Sequence, residues 1–182
     1  MKTLLPSLLT LLLLLSPVLL VAESEKKEKD ETKPETISAK EVSALILDFE
    51  ADPLGDKGKR AAALILDFAN TSEEVQMTLG KHVLPWYGKI TDSDFESRDT
   101  LMLAYISGNI KSQLKNKKPA DDPYAGWVQV FLTYRQLQKR NPKLVIAEVE
   151  ELLKVNSKGQ LRSFADKTLR EGDRPPKESP RL

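Results

Sequence analysis

Two hydrophobic patterns divide the chain. From Leu4 to Val21 the residues are almost continuously apolar, broken mainly by Pro6 and Pro17. From Val42 onward apolar residues recur at intervals of three and four, the spacing of one helical face. Between the two, residues 23–36 (ESEKKEKDETKPET) are nearly all charged or polar. Such a segment cannot bury enough apolar area to offset its ordering, which predicts a disordered leader.

The first helix has a clear start signal. Ser38-Ala39-Lys40-Glu41 is a capping box, followed by Val42, Leu45, Ile46 and Phe49 on one face. Asp52-Pro53 ends it, and DPLGDKGK makes a turn-rich connection. A second helix carries Ala61, Leu64, Ile65 and Phe68 and closes near Asn70. Thr71 to Gly88 gives no single answer: VQMTL alternates like a short strand, yet Ser72 can cap a helical turn or two. Pro85 breaks whatever precedes it. Ser93-Asp94-Phe95-Glu96 is a second capping box. It opens the longest helix, to about Lys115, with Leu103, Ile106, Ile110 and Leu114 in register. Ala104 and Gly108, small and four apart, allow a neighbouring helix close.

Asp122-Pro123 reads as an N-cap with proline at the first helical position. That helix runs to about Lys139 with Trp127, Val130, Phe131 and Tyr134 inward. Asn141-Pro142 repeats the device and predicts a helix to Val155 bearing Val145, Val149, Leu152 and Leu153. A weaker helix, Ser157 to about Leu169, comes last, and residues 171–182 read as a disordered tail. The expected fold is all-α: one domain, 37–170, of five to seven capped helices in a compact bundle or short helical-hairpin stack.

The hexapeptide ALILDF occurs twice, at Ala44–Phe49 and Ala63–Phe68. It poses a choice between paired carboxylates, Asp48 with Asp67, and two similarly built helices. Each aspartate lies one residue, about 100°, from the inward phenylalanine. Helices joined by a short loop pack antiparallel, which separates equivalent positions. The repeat is therefore read as helix construction.

The apolar N-terminal run follows Met1-Lys2 and ends at Ala22, before Glu23-Ser24-Glu25. Positive end, apolar core and small residue make a secretory signal peptide, residues 1–22, cleaved after Ala22. An uncleaved anchor is the competing reading, since the run approaches spanning length. A secreted or periplasmic location follows, with the membrane engaged only through the signal. The sequence contains no cysteine. An exported domain without disulfides rests on its core, and about 160 residues suffice for one. The combination leans towards a bacterial envelope. With 28 basic and 27 acidic residues the chain lacks the positive excess of a nucleic-acid binder.

Candidate chemistry is sparse. One histidine and no cysteine give no zinc-type ligand set. The loop DFEADPLGDKG, residues 48–58, lacks the alternating acids and terminal glutamate of a calcium loop. His82 is the one base of the usual kind, and no G-x-S-x-G surrounds a serine. No Gly-rich phosphate loop is present. No metal and no cofactor are expected. Glu96-Ser97 resembles the Glu-Ser pair of lytic transglycosylases, without that family's following glycine-rich pattern, and Asp121-Asp122 offers another acid pair. Each is also explained by capping.

Residues 101–161 carry the one family resemblance. LMLAYISGNIKSQL, DDPYAGW and VQVFLTYRQLQKRNPKLVIAEVEELLK resemble a group of uncharacterised secreted bacterial helical proteins. More faintly, AYISG with VQVFLTYRQLQKRNP resembles Tai-type immunity proteins, small periplasmic all-α proteins that block toxic amidases. Those carry cysteines, which this chain lacks, and no functional residue transfers. The expected function is an exported non-enzymatic helical protein that binds another protein or envelope component. His82, Trp86, Tyr87, Tyr124 and Trp127 form the candidate surface, because Trp and Tyr are favoured at binding hot spots. For Trp127 a place in the core is the stronger expectation. The competing function is a carboxylate-dependent enzyme cutting cell-wall glycans, with Glu96 or Asp121/Asp122.

Overall fold

The computed structural model describes residues 37–88 and 94–172. The expected signal peptide (residues 1–22), the expected leader (residues 23–36), Ser93 of the second expected capping box and residues 173–182 of the expected tail lie outside them. The described chain is a single compact all-helical domain without strands.

The α1 helix (Ala39–Ala51) starts on the expected capping box: Glu41 N–H donates to Ser38 Oγ, and Ser38 N–H donates back to Glu41 at 2.8 Å. The Ser38 hydroxyl, donating to the Glu41 carboxylate at 2.6 Å, and after it the Ser38 N–H, pull that carboxyl below its ordinary range. The α2 helix (Asp56–Thr71) returns after a tight loop in which Asp52 accepts from Gly55 N–H at 3.0 Å. Gly58 is required here. A Cβ on it would overlap the Asp52 carbonyl of the incoming loop. Phe49, Ile46, Ile65 and Phe68 are fully buried, whereas Leu64, expected inward, is 44% exposed. The inner stripe of α2 is narrower than its periodicity implies.

The centre of the domain is a pair, α3 (Phe95–Asn116) and α4 (Pro123–Arg140). The helices approach through reciprocal glycines. A Cβ on Gly108 would lie 2.5 Å from the Ala125 carbonyl oxygen, and one on Gly126 would lie 2.5 Å from the Tyr105 ring. Gly108 thus has the close-approach role its spacing predicts. The start of α3 differs from expectation. Asp94 is its N-cap, Glu96 is exposed and paired with Lys59 at 2.8 Å, and Ser93 of the expected box lies outside the described residues. Asp122 caps α4 as expected, accepting from Ala125 N–H.

Asn141-Pro142 does not open a helix. Asn141 terminates α4, a turn follows, and α5 (Ala147–Ser157) starts six residues later than Asn141. Val145 is consequently 69% exposed instead of inward. The intervening backbone is held by Tyr134, whose hydroxyl accepts from Ile146 N–H at 3.0 Å and donates to Glu150 at 2.8 Å. Gly159, with φ +69°, turns the chain into α6 (Leu161–Gly172). Among the described residues no helix is long and apolar enough to cross a membrane.

Residues 72–84 are irregular, with a 3-10 turn at Pro85–Gly88. They are neither strand nor helix because side chains satisfy their backbone. The Gln113 amide takes both Gln76 N–H (2.8 Å) and Gln76 C=O (2.7 Å), as a neighbouring strand would. Asp121 accepts from Thr78 N–H, and Trp127 Nε1 donates to Val83 C=O, each at 2.8 Å.

Candidate functional site

The five aromatic and histidine candidates split between core and surface. Trp86 and Trp127 are fully buried. Trp127 packs on Phe164 of α6 with ring centroids 5.5 Å apart. The Trp86 carbonyl accepts from Arg98, a buried guanidinium that also holds Asp94 at 2.8 Å and reaches Glu148 at 3.4 Å. Neither tryptophan is accessible to a partner in this conformation, and both serve to tie the 80s segment to α3 and α4. His82 is half-buried beside the end of α6, where a Cβ on Gly172 would lie 2.5 Å from its Nε2. Tyr87 is half-buried and lines a small pocket of about 240 Å³ with Leu79, Leu84 and Met102. Tyr124 stacks under Arg162 at 3.7 Å. The five do not form one exposed patch: α6 lies over Trp127 and against His82 and Tyr124.

The candidate acids are engaged by the fold. Asp121 accepts from Asn109 Nδ2 (2.6 Å) as well as from Thr78. Asp122 accepts from Ser112 (2.6 Å) besides capping α4. Burial, with the Asp121 carboxylate adding to it, pushes the Tyr105 hydroxyl far above its ordinary pKa, so it stays protonated. Asp48 pairs with Lys57 at the loop end of the α1–α2 hairpin. Asp67 lies ten residues beyond Lys57, roughly 15 Å along α2, so the repeated aspartates do not converge. Among the described residues no three His, Cys, Asp or Glu side chains gather as metal ligands.

A concavity of about 870 Å³ lies elsewhere, between α1, α3 and α4. Leu47 on α1 and Leu132 on α4, 62% and 49% exposed, line it with Leu114, Val128 and Tyr124. Large apolar side chains left in water cost about 1.5–3 kcal/mol each relative to burial, so two in one groove distinguish it from scattered surface leucines. Its charged lining is entirely basic: Lys40, Lys111 and Lys115. Lys111 is paired with Glu50 at 2.6 Å. Of the five aromatic and histidine candidates, only Tyr124 belongs to this groove. Sequence reading weighted aromatics and missed it. Its signal was present as apolar residues off the inner stripe, Leu47 and Leu132, with lysines at 111 and 115 one helical turn apart.

Comparison with protein-family models, with characterised proteins and with solved structures finds no match for this chain.

Proposed function

We propose that this chain is an exported, non-enzymatic helical protein that binds another protein or envelope component through the groove between α1, α3 and α4. The observation that carries the reading is the pair of exposed leucines, Leu47 and Leu132, lining one concavity of a domain whose other large side chains are mostly packed. Helix-lined apolar grooves bind by burying such side chains. Export rests on the N-terminal pattern of residues 1–22.

A photo-crosslinking residue placed at 47 or 132, in cells that naturally carry the protein, tests the groove. A control at Leu64, exposed on α2, reports nonspecific contact. The expected result is one adduct of a single mass from both groove positions and none from 64. Equal adducts from all three positions, or none from 47 and 132, overturn the proposal. The N-terminal residue of the isolated protein tests export separately: Glu23 supports it, Met1 with a cytosolic fraction refutes it.

A further inference from the structure

We infer that the occupant of the groove is an acidic amphipathic helix of a partner protein, lying between α1 and α4. This deepens the proposed function and rests on the groove being the binding surface.

Shape comes first. The groove takes in residues 39–47 of α1, 108–115 of α3 and 124–132 of α4. At 1.5 Å per residue each wall is about 12 Å long, or two helical turns. Three helices around an open channel leave the place of a fourth in a bundle. Ala39, Ser43, Ser112 and Ala125, all small, line it and permit a guest backbone to approach. The larger Leu47 and Leu132 supply the packing. A guest helix fills such a site with residues at i, i+3 or i+4, and i+7.

Charge selects among guests. The lining holds three lysines and no carboxylate. Glu50 already neutralises Lys111, while among the described residues no carboxylate pairs with Lys40 or Lys115. A guest with Asp or Glu flanking its apolar stripe therefore meets two cations that no described carboxylate occupies, and a basic guest meets repulsion. A second copy of this chain is the poorer fit. Its own glutamate-rich helix, α5, keeps Val149 and Leu152 in its core and has no free apolar stripe to offer. A bilayer presents a flat surface, whereas the leucines here line a concavity.

The test uses the full chain, purified as the cell leaves it, against displayed helical peptides of about fourteen residues, about four turns. Leucines are fixed at i, i+4 and i+7, and the flanking positions are randomised between Glu and Lys. The expected result is a retained pool enriched about tenfold in Glu over Lys. That preference reverses on Lys40→Glu/Lys115→Glu, and retention is lost on Leu47→Asp or Leu132→Asp. All four positions are exposed, and unchanged melting of each variant confirms its fold. Equal retention of Glu and Lys pools, still lost on Leu47→Asp, overturns the acidic guest and leaves the groove standing. Retention indifferent to Leu47 and Leu132, or no retention, overturns both. Flotation with phosphatidylglycerol vesicles that depends on Leu47, without peptide retention, overturns the inference in favour of a lipid. A dimer in sedimentation that Leu132→Asp dissociates overturns it in favour of a second copy.

Discussion

The two copies of ALILDF bury the same isoleucine and phenylalanine and opposite leucines. Ile46 and Ile65 are fully buried, as are Phe49 and Phe68. Beside them, α1 half-buries Leu45 and leaves Leu47 outside, whereas α2 half-buries Leu66 and leaves Leu64 outside. Two helices in equivalent surroundings would cover the same flank. These do not, so the repeat is one of sequence and not of environment. Neighbours decide which flank is covered. The difference also ranks the two exposed leucines. Leu64 lies on the surface of α2, apart from the groove, as single apolar residues often do. Leu47 shares a groove with Leu132.

The shared seam gives the largest expected effect. Phe49→Ala and Phe68→Ala each leave a cavity in the core and should cost about 3–5 kcal/mol. Matching losses in urea melts confirm that the copies are equivalent at this position. A loss under about 1 kcal/mol in one of them places that copy outside the common core. Gly58→Ala comes next. The repeat offset aligns Gly58 with Ala39, so the substitution makes the copies more alike in sequence. It should nevertheless destabilise by about 1–3 kcal/mol, because α2 starts against the Asp52 carbonyl. A neutral result would mean that the loop yields.

The flanking leucines separate the copies. Leu45→Ala and Leu66→Ala should each cost about 1–1.5 kcal/mol, roughly half the value of full burial. Leu47→Ala and Leu64→Ala should stay within about 0.5 kcal/mol. A crossed pattern in the four melting curves upholds the asymmetry. If Leu45 and Leu64 prove costly together, the two environments are the same after all. Binding then divides the two exposed residues, since only Leu47→Ala weakens a groove ligand.

Elements governed by local rules were legible in the sequence. The capping box at Ser38, the Asp122-Pro123 start and the 3.6-residue stripes of α1, α3 and α4 all act within a few residues. What depended on distant partners was not. Asn141-Pro142 has the composition of a helix start, but Tyr134 and Glu150 hold the following backbone in a turn. Residues 72–84 resist assignment because Gln113, some 37 positions away, stands in for a strand. Trp127 was legible as core from its place on the inward stripe of α4, whereas Trp86, in an irregular segment, carries the composition of a binding surface and its burial is not announced by its local sequence. The groove was hidden for the same reason. Leu47 is indistinguishable from Leu66 until the helices are assembled.

The starts of the two helices give the smallest and most selective contrast. The Ser38–Glu41 box holds α1, whereas α2 begins on Gly55 with no side-chain cap of its own. Ser38→Ala should lower Tm by about 2–4 °C at neutral pH. The cost should depend on pH with a definite sign. Bonds from Ser38 depress the Glu41 pKa in the folded state. Their stabilisation is therefore complete above the unfolded value and is lost as pH falls through the depressed one. The gap in Tm between wild type and Ser38→Ala should narrow as pH falls below the ordinary glutamate value of about 4.3, leaving the part due to the Glu41 N–H bond. A gap of constant size as the pH falls would assign the cap to the serine's bond with the backbone alone. The titrating contribution would then be absent from α1, and this distinction between the two helix starts would fall.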